Sequence, residues 1–372
     1  MKNIRQTNVN IHRDAWVEIN IANLEHNIKE IKKYTKDAKL LGVVKADSYG
    51  HGSVMLAPTI LASGIDMLGV ASIDEGVDLR KANINCEILV LGAVPVWAVE
   101  SAVDADLSIS IFSKGHIEAC KKAYERTGQK PKVHIKLDTG MNRIGVAFEN
   151  AVDFIKEVQN SDFIDLQGVF THFAMAEDVE ETKKQIDKWN KVISNIDTKG
   201  LLLHIQNTAG SICYDVPNTN MRRVGIALYG LEPDFPADAK IDIDLKPLIS
   251  LKGRIVNIHT AHSGDGVSYA YTFRANGERK IATIPVGYAD GVPRALSNKI
   301  SGKLNGQKVM QIGNITMDQM MFDITDVDAE CGDVITLLDE ENSIDNWAKI
   351  LGTINYELTC RLKVRLPRVY TR

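Results

Sequence analysis

Residues 40–46 read LLGVVKA, an apolar run that ends on a lysine and passes into the glycine-containing turn DSYGHG (47–52). Seven further short β-rich runs follow it: DMLGVAS (66–72), EILVLGA (87–93), LSISIF (107–112), VHIKLDT (133–139), LQGVFTH (166–172), LLLHIQN (201–207) and RRVGIAL (222–228). Between them lie segments such as IANLEHNIKEIKKY (21–34) and VEETKKQIDKWNKVISNI (179–196), with apolar residues at three- and four-residue spacing and charges between. Strand runs alternating with amphipathic helices are the signature of βα units and a parallel sheet. Eight such units predict an α/β fold, a closed (β/α)8 TIM-type barrel; the fourth unit is the least regular.

After about residue 240 the pattern changes to alternating, β-branched segments: KPLISLKGRIVNIHTA (246–261), KIATIPVGYA (280–289), KVMQIGNITM (308–317) and DVITLLD (333–339). They predict a separate, mainly β C-terminal domain. The expected division is an N-terminal segment 1–15 packing on the β domain, a barrel over 16–240 and the β domain over 241–372. DFPADAK (234–240) reads as the linker, and WVEIN (16–20) as a strand joining the β domain from the N-terminal side.

A chain of 372 residues exceeds the size at which single cores stop growing, in keeping with two domains. With 44 basic against 48 acidic residues spread along the chain, there is no electrostatic footprint for nucleic acid or an anionic membrane, and a small molecule is the expected partner. MKNIRQTNVNIHRDAW (1–16) holds no signal-peptide core and no apolar stretch reaches membrane-spanning length, so a cytoplasmic location is expected. Cys86, Cys120, Cys213, Cys331 and Cys360 stand singly, without CxxC pairs or histidines at ligand spacing, which argues against structural zinc and a disulfide framework.

Active sites of such barrels gather at the C-terminal ends of the strands. There the runs deliver Lys45, Lys136, His172, Asn207 and Arg223, polar groups on otherwise apolar strands. Burying several in one ring is costly without a shared ligand. A strand-end lysine such as Lys45 forms a Schiff base once desolvated enough to lose its proton, although alone it reads more readily as a solvated lysine at a sheet edge. Gly50 and Gly52 permit close backbone approach, and the Tyr49 hydroxyl suits a phosphate oxygen. Thr208 in NTAGS (207–211) and the turn RVGIALYG (223–230) offer a second anion-binding segment between the last strands.

Over nearly its whole length the chain resembles bacterial alanine racemases. VVKADSYGHG (43–52) resembles their cofactor-lysine segment, and VHIKLDTGMNRIG (133–145), GVFTHFAMA (168–176), MRRVGIALYG (221–230), GVSYAYTF (266–273), TIPVGYADG (283–291), GNITMDQ (313–319) and INYELTCRLKVRLPRVY (354–370) resemble later segments in order. The resemblance implies pyridoxal 5'-phosphate held by Lys45, a phosphate surrounded by Tyr49, Thr208, Gly225, Ile226 and Tyr356, and Arg223 facing the pyridine nitrogen. It places His172 and Asn207 among the cofactor-binding residues too, and implies a head-to-tail homodimer in which Tyr269 crosses the interface as the second base, opposite Lys45, with His172 and the nearby arginines candidates for tuning it. It further implies that Lys136 is carbamylated to N6-carboxylysine and fixes Arg143, which contacts the substrate carboxylate, and that Met317, Asp318 and Tyr288 line the substrate entrance. Racemisation of L- and D-alanine, supplying D-alanine for peptidoglycan, is the expected activity. Asp47, Ser48, Thr316 and Val224 depart from the family's usual residues, which bears on substrate preference rather than reaction type.

Two other classes weigh against this. A decarboxylase of the same architecture places an acid at the pyridine nitrogen, where Arg223 stands here. A non-catalytic cofactor-binding barrel has neither the β domain nor Tyr269. Among racemases, serine or a broader amino-acid range competes with alanine, because one hydroxyl changes affinity only modestly in an apolar pocket.

Overall fold

The computed structural model describes residues 12–372, so residues 1–11 of the expected N-terminal segment lie outside the described part. The described residues divide into two compact units, one over 22–246 and one combining 247–372 with residues 12–21.

The first unit is the barrel. Its strands, Lys39–Val43, Met67–Val70, Ile88–Val90, Ser108–Ile111, Lys132–Asp138, Asp165–Phe170, Leu202–His204 and Met221–Val224, fall one in each of the eight apolar runs. Neighbours pair in parallel in chain order, and the eighth pairs with the first in the register Met221↔Lys39 and Val224↔Gly42. Asn220 N donates to Leu203 O at 3.0 Å and Arg223 N to Gln206 O at 3.2 Å, which brings the last two strands together and closes the ring. The fifth and sixth strands shift register between Val133 and His134. There a Cβ on Gly168 would fall 2.4 Å from His134 Nδ1, so the missing side chain at 168 makes room for the imidazole.

Outer helices follow their sequence pattern. Ile21–Thr35 buries Leu24, Ile28 and Ile31, spaced by four and three residues. Val179–Ile193 starts where Asp178 caps Glu181 N at 2.9 Å, carries Glu180 and Glu181 in its first turn, and buries Trp189 completely. Asn27 on the first helix is fully buried and grips the segment leaving the barrel: its Nδ2 donates to Leu228 O and Lys246 O, and its Oδ1 accepts from Lys246 N at 2.8 Å.

The second unit is built on a nine-stranded, mainly antiparallel sheet. Ala15–Asn20 pairs antiparallel with Ile249–Arg254 and parallel with Arg368–Thr371. Buried and half-buried positions alternate along both Ala15–Asn20 and Ile249–Arg254, and Lys252 reaches Glu18 across the pair at 2.5 Å. The barrel unit therefore begins at Ala22 rather than residue 16, and ends at Lys246 rather than 240. The reason is visible in Glu18 and Asn20, which with Trp16 form a half-buried face unsuited to a barrel strand covered on both sides. No helix among the described residues is long and apolar enough to cross a membrane.

Trp189→Ala should remove about 3–5 kcal/mol of barrel stability by opening a large cavity. Denaturant unfolding followed through far-ultraviolet circular dichroism checks this; an unchanged midpoint would mean that the Val179–Ile193 helix does not anchor the barrel.

Candidate active site

Lys45 leaves the first barrel strand into a turn of the opposite hand. Ala46, Asp47, Ser48 and Tyr49 have φ values of 52° to 54° with ψ between 37° and 49°, a left-handed helical stretch without a glycine. Each such residue costs roughly 1–2 kcal/mol, so the surroundings must impose the shape. Glu75 does so from the helix that follows the second barrel strand, its Oε1 accepting from Ala46 N at 2.8 Å while Oε2 accepts from Ala71 N at 2.7 Å. Asp47 Oδ1 accepts from Ser53 N at 2.7 Å. Tyr229 packs its ring 5.1 Å from that of Tyr49 and 4.7 Å from that of His51, and donates to Val43 O at 2.8 Å. Glu75 was not anticipated from sequence, where it reads as an ordinary acid in the first turn of Ile73–Lys81.

The turn carries the Tyr49 hydroxyl to Gly225. A Cβ there would lie 2.7 Å from Tyr49 Oη, so position 225 has to lack a side chain. Gly225 N donates to Thr208 Oγ1 at 2.9 Å, and the buried Ile226 follows directly. Two hydroxyls thus meet over a bare stretch of backbone, a cradle suited to an anionic group. Asn207 sits beside Thr208 as a helix cap, its Oδ1 accepting from Gly210 N at 2.9 Å.

Arg223 is buried, and its guanidinium is held by carbonyls and imidazoles. Nη1 donates to His204 O at 3.0 Å and His204 Nδ1 at 2.9 Å, while Nη2 donates to Thr171 O at 2.7 Å, Ile205 O at 3.0 Å and His172 Nδ1 at 3.0 Å. A guanidinium only donates, so both imidazoles accept through Nδ1 and keep their protons on Nε2. His204 then donates from Nε2 to His134 Nδ1 at 2.9 Å. Burial pushes Arg223 down to about 9. Burial, and then Arg223, pushes His134 down to about 3 and His172 and His204 well below the ordinary imidazole value.

Lys136 lies in the same region. It is 3% exposed, its Nζ donates to Leu137 O at 2.8 Å, and it stands 5.4 Å from the centroid of Phe170, as the Arg223 guanidinium does. Burial, reinforced by Arg223, pushes its ammonium down to about 7. Asp138 opposes that shift, but its Oδ1 is turned to Gly140 N and Asn142 N at 2.9 and 3.1 Å. Arg143 is exposed, yet its charge lowers both Lys136 and His172, and His172 also feels Lys136 and Lys45. Lys45, Lys136, Arg143, His172 and Arg223 therefore form one electrostatic cluster, and no carboxylate among the described residues makes an ion pair with Lys136, Arg143 or Arg223.

The remaining predicted residues belong to the β unit. Tyr269 is 73% exposed on a loop whose Ser268, Ala270 and Tyr271 all have positive φ, and the loop is fixed where Asn314 Nδ2 donates to Tyr269 O at 2.7 Å. Met317 and Tyr288 are 53% and 41% exposed, Asp318 stands beside Met317, and Tyr356 lies in the first turn of Asn355–Arg361.

A barrel with a cationic mouth, a lysine just past its first strand and a hydroxyl-lined cradle, carried with an antiparallel β unit, defines a two-domain barrel enzyme. Residues 19–233 match the family described as "Alanine racemase, N-terminal domain", and residues 248–370 match "Alanine racemase, C-terminal domain". The chain is 38% identical to an alanine racemase of Clostridium novyi, covering 97% of this chain and 96% of the relative. Among solved structures, the alanine racemase of Clostridium difficile 630 superposes with a TM-score of 0.91 at 37% identity, over 98% of this chain and 97% of that one. A histidine racemase from Leuconostoc mesenteroides superposes with a TM-score of 0.90 at 29% identity, over 97% and 99%. The chain belongs to the alanine racemase family and is an isomerase.

In a proton-detected titration the His134 ring should stay neutral from pH 8 downward until the pH falls toward about 3. A midpoint near the ordinary value of 6.5 would mean that the ring is hydrated and the histidine network open.

Proposed function

We propose that the chain interconverts L- and D-alanine with pyridoxal 5'-phosphate bound through Lys45. The observation that carries this reading is the Arg223–His172 contact within a cationic cluster, next to a cradle that suits a phosphate. Tyr49, Thr208, Gly225 and Ile226 would hold the phosphate, with Tyr356 assigned to it by the family resemblance. When bound, this cofactor supplies an electron-withdrawing ring that spreads negative charge away from the substrate α-carbon.

Arg223 sets how far that withdrawal goes. At about 9 its guanidinium stays charged at neutral pH, and a donor cannot take up a ring proton, so full electron-sink behaviour and its side reactions are restrained. Racemisation needs a proton removed from one face and returned on the other. Lys45 serves one face, and Tyr269 of the partner subunit in a head-to-tail homodimer serves the other. His172, protonated on Nε2 because Nδ1 accepts from Arg223, can donate to a phenolate and so lower a tyrosine from its usual ~10.

Lys136 would be carbamylated: its neutral amine adds to carbon dioxide, forming an N–C bond and releasing one proton, and the resulting anion offsets Arg143. With the ammonium at about 7, the reactive amine grows as pH rises through that value. Arg143 would take the substrate carboxylate, and Tyr288, Met317 and Asp318 would line its approach. The histidine racemase of the same fold shows that architecture alone does not select the side chain. We place the reaction in the cytoplasm, with D-alanine feeding peptidoglycan assembly, on the strength of the resemblance.

Incubation with L-alanine in deuterated water should give loss of the α-proton signal and appearance of D-alanine, faster than the same assay with serine. If neither change occurs, the racemase reading fails. Tyr269→Phe should abolish exchange on one face while cofactor absorbance is kept, and equal exchange of both enantiomers would remove the two-base assignment.

Gly225→Ala should weaken cofactor affinity roughly tenfold through collision with Tyr49, read from absorbance titration. Unchanged affinity would place the phosphate elsewhere. With carbon-13 bicarbonate, a carbamate resonance should grow from pH 6 to pH 8 and be missing in Lys136→Ala.

A further inference from the structure

The loops carrying Tyr288 and Met317 meet backbone to backbone. Tyr288 N donates to Thr316 O at 2.9 Å and Ala289 N to Met317 O at 3.0 Å. A Cβ on Gly287 would lie 2.4 Å from both of those carbonyl oxygens, so the loops approach as closely as bare backbone permits. Asp290, at the end of the first loop, is fully buried. Its Oδ2 accepts from Gly287 N at 2.8 Å and Arg13 Nη2 at 2.7 Å, and its Oδ1 from Arg13 Nη1 and Arg365 Nε, the latter at 2.9 Å.

A buried carboxylate is costly unless its lone pairs are met by donors, and here four donors meet them. Arg365 then continues outward, its Nη2 donating to Asp318 Oδ1 at 2.5 Å. Arg13, Asp290, Arg365 and Asp318 form a chain of alternating sign with no net charge. Its two arginines do different work. Arg13 closes both oxygens of Asp290, donates to Pro285 O at 2.7 Å and reaches Asp318 only at its backbone oxygen, at 3.5 Å, so it holds the loop backbone and not the Asp318 carboxylate. Arg365 links the buried anion to Asp318, and it needs two separated donors to do so.

We infer that Arg365 is a positioning residue for the racemase reaction, fixing the Asp318 carboxylate and through it the affinity for the amino-acid substrate. This rests on the reading of Tyr288, Met317 and Asp318 as entrance residues. A lysine at 365 offers one compact ammonium in place of the fork, so it keeps the contact with Asp290 and releases Asp318 while the loop backbone stays in place.

The experiment compares Arg365→Lys, Asp318→Asn, the double variant and Arg13→Lys in the cofactor-loaded enzyme, measuring kcat, KM for L-alanine and Tm. Arg365→Lys should raise KM about fivefold, the scale of a partly exposed charge pair, with kcat within about twofold and Tm nearly unchanged. Asp318→Asn should match it, and the double variant should be no worse than either single change, because all three remove one coupling. Arg13→Lys should lower Tm and leave KM alone. A fall in Tm for Arg365→Lys with KM unchanged overturns the proposal, and so does a double variant whose effects multiply. A raised KM in Asp318→Asn without one in Arg365→Lys defeats the positioning role alone, whereas an unchanged KM in Asp318→Asn defeats the entrance reading beneath it.

Discussion

The buried guanidinium of Arg223 constrains the barrel more than any other group. It enters from the last strand and donates to carbonyls of two others, Thr171 beyond the sixth and His204 and Ile205 at the seventh, so that barrel closure and arginine satisfaction are one arrangement. Because it is held by neutral acceptors, His172 and His204 are fixed as acceptors toward it, and the His204 tautomer sets that of His134. A carboxylate partner would have satisfied the arginine more strongly. It would also have opposed the positive field that adds to burial in lowering Lys136 and keeping the histidines neutral.

The turn after Lys45 is tightly prescribed for a steric reason, the placement of Tyr49 against Gly225. Four consecutive left-handed residues are expensive, and a right-handed turn would carry Tyr49 in another direction, away from Gly225. Glu75 and Asp47 hold the backbone through its amides rather than by ion pairing. Their charges are thereby used on the strained turn.

The barrel was legible because its eight runs are short, apolar and regularly interrupted, and each contains a strand. The polar residues at the strand ends could be named because they break those runs. What lay beyond reach depends on long-range pairing. Glu75 looks like a helix-dipole acid, Asn27 like a surface residue of an amphipathic helix, and Asp290 like the polar member of a loop; each is defined by a partner far along the chain. WVEIN was read as a strand joining the β domain and pairs there with Ile249–Arg254, so a barrel begun at residue 16 takes in a strand of the other unit. Gly225 matched a pattern, but why it must be glycine emerged from the position of Tyr49.

The two units bury charge in opposite ways, and the contrast follows from what each holds. In the barrel, Arg223 and Lys136 have no ion-pair partner among the described residues and burial lowers them to about 9 and about 7, which leaves a region that attracts anions and contains an amine able to lose its proton near neutrality. In the β unit, Asp290 is enclosed by two arginines and a backbone amide. Such full compensation fixes geometry while adding no net field. The barrel therefore carries the electrostatics, and the β unit carries the placement of Tyr288, Met317 and Asp318.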